Sequence, residues 1–170
     1  MLELTADTLE KGINNTHGLW EPGACIMVEY FPDKLVPVTL TTTNSDDLHI
    51  LLNKIDDGSV LAMDFEWISD TNGSHNPISL IQIGFSRGAL IIRVIRDGKY
   101  DVIREFICSH KFFGKGTQND DIKIRSLLGD SLELSYEDVE KTRLRPYKKS
   151  ENFIEMVKKF YMAPTVLFKS

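Results

Sequence analysis

The chain has 170 residues, a net charge of −5, 42% hydrophobic and 26% charged residues. That is the balance of one globular domain with a real core, and it excludes an extended disordered segment. The acidic balance argues against tight non-specific binding of nucleic acid by this chain alone, but it leaves room for a nuclease, whose metal ions supply positive charge locally. No apolar run reaches the length of a membrane span, and Met-Leu-Glu-Leu-Thr-Ala-Asp at the start carries no signal-peptide block, so no membrane partner is expected. Cys25 and Cys108 form no CxxC pair and read as reduced thiols of an intracellular compartment, cytoplasm or nucleus.

Residues 1–34 give the weakest pattern. Leu2, Ala6, Leu9 and Ile13 have the spacing of a short amphipathic helix, and Gly18, Pro22 and Gly23 break the pattern after it. Leu35 to Thr42 alternates as a strand. Asn44-Ser-Asp-Asp47 starts a helix whose apolar face is Leu48, Leu51, Leu52 and Ile55, and Asp57-Gly58 ends it. Val60-Leu-Ala-Met-Asp-Phe-Glu-Trp67 is the next strand. Pro77 to Phe85 and Ala89 to Val94 are two more, joined by a tight Ser86-Arg87-Gly88 loop that calls for glycine in its left-handed position. Val102, Ile103, Phe106 and Ile107 stripe a helix over 100–109. Lys111 to Gly116 is a short strand. Asn119 to Leu128 is a helix with Ile122, Ile124, Leu127 and Leu128 inward. Residues 131–135 form a last strand, and a final helix runs from Ser150 through Phe160 until Pro164 stops it. A hairpin demands antiparallel pairing and crossover helices favour parallel pairing. The expected architecture is therefore α/β, a mixed sheet of five to six strands with helices on both faces.

Asp64 and Glu66 are the most informative residues. Side chains at i and i+2 of a strand leave one face, with bases roughly 6–7 Å apart. Two like charges on an otherwise apolar strand are costly unless a cation neutralises them. Mg²⁺ or Mn²⁺ is the usual cation for hard oxygen ligands, and such sites carry phosphoryl-transfer chemistry. A second acidic stretch lies in Phe112-Phe-Gly-Lys-Gly-Thr-Gln-Asn-Asp-Asp-Ile-Lys-Ile124. Glycines there allow a sharp turn or a close ligand approach, and Asp120 falls in the first turn of a helix. By itself Asp120 also reads as a plain helix-start acid favoured by the macrodipole, and Asp121 is its rival.

Asp64-Phe-Glu66, Ile78-Ser-Leu-Ile-Gln-Ile-Gly84 and Gly114-Lys-Gly-Thr-Gln-Asn-Asp120-Asp-Ile-Lys-Ile124 come in this order at spacings that resemble the four-carboxylate (DEDD) 3′–5′ exonucleases, in the branch of the Werner-helicase exonuclease and RNase D. The resemblance covers roughly residues 36–170, leaving 1–35 as an N-terminal extension. It implies a ribonuclease-H-like fold and two-metal hydrolysis of a terminal phosphodiester at the 3′ end of single-stranded DNA or RNA, with Mg²⁺ or Mn²⁺ as cofactor. By the same resemblance Asp64 bridges both metals, Glu66 holds the metal on the nucleophile side, and Asp120 binds the second, chiefly through water. The glycine spacing favours Asp120 over Asp121.

The family's third motif is a tyrosine or histidine followed, on a last helix, by a fourth metal-binding aspartate. It has no counterpart before Ser170. Tyr136-Glu-Asp-Val-Glu140 and Tyr147-Lys-Lys-Ser-Glu151 mimic it, but both come too soon after Asp120 and end in Glu, so solvated surface charge is expected of them. The exonuclease-like domain is thus expected to be C-terminally incomplete, without the family's last helix, and to be either a piece of an active enzyme or a relative with impaired activity. A catalytically inactive nucleic-acid-binding or protein-interaction module is the alternative. The sheet face that helix covers would need another cover, either the N-terminal segment or a second copy in a homodimer. Lys141-Thr-Arg-Leu-Arg-Pro-Tyr-Lys-Lys149 reads either as a solvated loop or as a nucleic-acid-binding strip in which Arg143, Arg145, Lys148 and Lys149 meet phosphates and Tyr147 stacks on a base. Phe65 should be core and Trp67 core as well, while His75 lies in the loop beside the carboxylate strand.

Overall fold

A computed structural model of the chain describes residues 3–4, 24–31, 34–55, 60–71, 73–139 and 141. Eight strands form one sheet: β1 (Glu3–Leu4), β2 (Cys25–Phe31), β3 (Lys34–Thr42), β4 (Leu61–Trp67), β5 (Ile78–Phe85), β6 (Gly88–Arg93), β7 (Lys111–Gly114) and β8 (Ser135–Asp138). Their spatial order is β1-β2-β3-β6-β5-β4-β7-β8. Among the described residues three helices lie between them: α1 (Leu48–Ile55), α2 (Asp101–Ser109) and α3 (Thr117–Leu128).

The sheet is mixed, as the hairpin and the crossovers require. β5 pairs antiparallel with both β4 and β6. The crossover pairs β3–β6, β4–β7 and β7–β8 are parallel. The two strands beyond the expected six are β1 and β2. Glu3–Leu4, expected within a helix, is instead a strand parallel to β2. β2 is antiparallel to β3, with Ile26 opposite Val38 and Val28 opposite Val36. Pairing along this edge outweighs the helical spacing of scattered leucines, because a strand is stabilised by its neighbours more than by its own sequence.

One core unites the helices with the sheet. Leu61, Met63 and Phe65 of β4 point into it while Ala62, Asp64 and Glu66 are exposed. Ile81 and Ile83 of β5, Leu90 and Ile92 of β6 and Phe112 of β7 join them. α1 adds Leu48, Leu52 and Ile55, which its turn places on one face. α2 adds Ile103, Phe106 and Ile107, and α3 adds Ile124 and Leu128. Truncating any of these buried leucines or isoleucines to alanine costs about 2–5 kcal/mol.

Three local expectations are corrected. Ile122, expected inward, is 67% exposed, because Asp120, Ile124 and Leu128 take the buried stripe of α3. Gly88 is not left-handed; the described positive-φ glycines are Gly73, Gly116 and Gly129. Gly88 begins β6, and a side chain there would collide with the carbonyl of Pro37. The last strand is Ser135–Asp138 and not 131–135, which is decisive for the site below. The helix expected over 150–164 lies outside the described residues, as does the basic strip beyond residue 141. Among the described residues no helix is long and apolar enough to cross a membrane.

Candidate active site

Strand alternation puts Asp64 and Glu66 on the open face of β4. Gln82 lies opposite Asp64 in the β4–β5 ladder, and its Nε2 donates to Glu66 Oε1 at 3.3 Å. β7 runs parallel beside β4, with Leu61 next to Phe112 and Ala62 next to Phe113, so the chain leaves both strands at the same end of the sheet. After β7 the backbone turns through Gly116 at φ 67°, a left-handed conformation that suits glycine, and enters α3. Asp120, in the first turn, is 5% exposed. Asp121 points elsewhere and pairs with Arg125, whose Nε donates to its two oxygens at 3.0 and 3.1 Å.

The acids from the two stretches feel one another. Burial pushes the Asp64 carboxyl up from 3.8 to about 6, and the charges of Asp120 and Glu66 push the same way against a backbone hydrogen bond at Phe65. Asp64 keeps solvent exposure as a residue, so its carboxyl is crowded by protein rather than sealed. Burial also raises Asp120; the bond from Tyr136 opposes this, and Glu66 and Asp138 add to it. Carboxylates concentrated in this way are costly without a compensating cation. Among the described residues no three His, Cys, Asp or Glu side chains close around a single ion. An ion taken here would have protein ligands in ones and twos and fill its shell with water and phosphate, the usual manner of Mg²⁺.

Two neighbours were not foreseen. Tyr136 and Asp138, expected to be solvated, sit at this site on β8. The Tyr136 hydroxyl lies 2.7 Å from the Met63 carbonyl oxygen and 2.8 Å from Asp120 Oδ2. Asp138 is 8% exposed. Leu132, Leu134, Tyr136 and Asp138 alternate along the chain, the one signal that could have revealed a strand reaching this far. Tyr136 passes over Gly114, where any Cβ would collide with the phenol. Its hydroxyl is held far above the ordinary tyrosine range, first by burial and then by Asp120, so it stays a donor.

Lys123, one turn beyond Asp120, fastens the loop after β4. Its Nζ donates to both Asp70 oxygens at 2.8 Å and to the Asn76 carbonyl at 2.7 Å. It also lies 5.4 Å from the centre of the Trp67 ring. The Lys123 bond lowers Asp70 below the usual carboxylate range. Phe65 is core, 3% exposed, and Trp67 packs partly buried against that core. His75 is exposed and lies 3.4 Å from Asp70.

No protein-family model matches the chain, and no curated protein sequence matches it. Solved structures do. Escherichia coli RNase D, an exoribonuclease involved in structured RNA processing, superposes with a TM-score of 0.57 at 17% identity, over 72% of this chain and 33% of that one. The two chains share a fold. The EXO domain of Aedes aegypti Nibbler gives 0.48 at 16% identity, over 69% of this chain and 66% of that one. Trypanosoma brucei RNase D, solved with GMP, gives 0.47 at 16% identity, over 71% and 41%. The mixed α/β sheet is therefore of the ribonuclease-H-like kind. The chain spans about a third of the length of the Escherichia coli enzyme.

Proposed function

We propose that this chain is a metal-dependent 3′–5′ exonuclease domain that hydrolyses terminal phosphodiesters of single-stranded DNA or RNA. The observation that carries the reading is that the Asp120 carboxylate of α3 and the β4 backbone at Met63, the residue before Asp64, meet at one hydroxyl, that of Tyr136, although Asp64 and Asp120 are 56 residues apart in the chain; the Asp120 charge helps raise the Asp64 carboxyl. The RNase D fold supports it as context.

The donor chemistry fits Mg²⁺ or Mn²⁺: Asp64 and Glu66 would hold one ion, and Asp64 with Asp120 the other. When bound, such a pair supplies positive charge that activates water and offsets charge on the leaving 3′ oxygen. The chain's own part is positioning. Gln82 steadies Glu66. Phe65 and Met63, buried on the opposite face, fix the direction in which Asp64 and Glu66 project. Lys123 holds the 68–77 loop beside them. The basic strip with Arg143, Arg145, Tyr147, Lys148 and Lys149 would meet the strand leading to the scissile end.

Labelled single-stranded oligonucleotides test this directly. With Mn²⁺ present, a 5′ label should yield a ladder shortened from the 3′ end. Asp64→Ala and Asp120→Ala should each abolish it. Degradation that survives Asp64→Ala is contamination and ends the proposal. The lack of a three-donor cluster among the described residues favours one other reading, a non-catalytic nucleic-acid-binding module. That reading predicts metal-independent, salt-sensitive binding with no ladder at all.

A further inference from the structure

We infer that Tyr136 is a positioning residue: its hydroxyl holds the Asp120 carboxylate against the backbone of β4 and so sets where Asp120 stands relative to Asp64. Three observations combine. The hydroxyl lies between acceptors from two separate elements, Met63 O on β4 at 2.7 Å and Asp120 Oδ2 on α3 at 2.8 Å. Met63 is the residue before Asp64, so this bridge spans directly from one acid's strand to the other acid's helix. The phenol has little freedom to swing away. Its ring meets Phe65 edge-on at 6.2 Å between centroids, it packs against the main core, and it crosses β7 at Gly114, where a side chain would displace it.

The donor count sharpens this. Tyrosine has one hydroxyl proton, and both the carbonyl and an ionised carboxylate are acceptors only. A bond to a charged acceptor is about twice as strong as one to a neutral acceptor. The proton is therefore shared between the two acceptors in a three-centre bond, with the larger share on Asp120 whenever that group is ionised, and Oδ2 is occupied from the protein side. The same strand brings Asp138 close, so β8 contributes both the donor that fixes Asp120 and a negative charge beside it.

The consequence for catalysis rests on the exonuclease reading above, whereas the Tyr136–Asp120 bond does not, and Tyr136→Phe separates the two. Phenylalanine keeps the ring packing and removes only the hydroxyl. In metal-free protein, unfolding constants of Tyr136→Phe, Asp120→Ala and the double variant form a thermodynamic cycle. The double variant should differ from the product of the singles by threefold or more. In the holo-protein, Mn²⁺ affinity should weaken by about 10–100-fold, and kcat should fall more than KM rises. Strictly multiplicative unfolding constants would overturn the inference. So would a Tyr136→Phe protein that loses stability but keeps wild-type Mn²⁺ affinity and kcat, the mark of a merely structural tyrosine. Should wild-type protein bind no Mn²⁺ and leave oligonucleotides intact, the exonuclease reading fails, and the metal-free cycle still decides the bond.

Discussion

Replacing Asp64 by asparagine should stabilise the metal-free protein at neutral pH while destroying its proposed activity. The folded Asp64 carboxyl binds its proton more tightly than a free one, with its pKa moved from 3.8 to about 6. A group whose folded pKa is raised supports the fold fully below about pH 4 and loses that support as pH climbs through about 6. The rise corresponds to about 3 kcal/mol at about 1.4 kcal/mol per pKa unit. Asp64 is exposed as a residue, so solvent screening reduces this to about 1 kcal/mol. Asparagine has nearly the same shape and no charge. In EDTA at pH 7.5, Asp64→Asn should therefore melt about 2–4 °C above wild type, the shift about 1 kcal/mol gives a domain of this size. At pH 4 the difference should vanish. Adding Mn²⁺ should raise the wild-type melting temperature by mass action and leave the variant unmoved. Differential scanning calorimetry at the two pH values measures all of this. An Asp64→Asn protein that is less stable than wild type at pH 7.5 in EDTA would show that no uncompensated charge is concentrated here, and the metal-site reading would lose its physical basis.

Lys123→Met should release the loop after β4, since it removes the bonds to both Asp70 oxygens and to the Asn76 carbonyl. We expect a loss of about 1–3 kcal/mol, the cost of stranding such partners, and faster amide hydrogen exchange confined to residues 68–77. Gly114→Ala should cost about 1–3 kcal/mol through overpacking against Tyr136, and a Tyr136→Phe background should relieve part of that in urea denaturation. Neutralising Arg143, Arg145, Lys148 and Lys149 together should lower the slope of log affinity against log salt for single-stranded DNA by about 3, at about 0.7 per phosphate contact. A slope unchanged in fluorescence titrations would assign the strip to solvated surface.

Much of this fold was legible because its elements announce themselves locally. β3, β4, β5, β6 and α2 fall within a residue or two of their expected bounds, each marked by alternation or a helical stripe bounded by turn residues. β2 was not legible. Cys25-Ile-Met-Val-Glu-Tyr-Phe31 is strand-like in composition, but its signal sat beside Gly18, Pro22 and Gly23, and its stability comes from pairing with β3. That Asp64, Glu66 and Asp120 influence one another was anticipated only in outline: a strand period of two sets Asp64 beside Glu66, whereas Asp120 was singled out by the glycine spacing of the family resemblance, and its charge does reach Asp64.

Tyr136 and Asp138 escaped for a different reason. Comparison with a motif looks for an aromatic and an acid at a set distance along the chain, whereas the site registers only what reaches Asp120 in space. β8 reaches it because β7 is four residues long, ends in a glycine, and so leaves the space over Gly114 empty. The phenol that fills this space touches Asp120 from a strand two places away from β4. The two glycines here thus serve differently. Gly116 takes the left-handed turn toward α3, and Gly114 makes room for the neighbouring strand's hydroxyl. Sequence spacing marks both glycines, and only the packing of β8 against β7 reveals what Gly114 does.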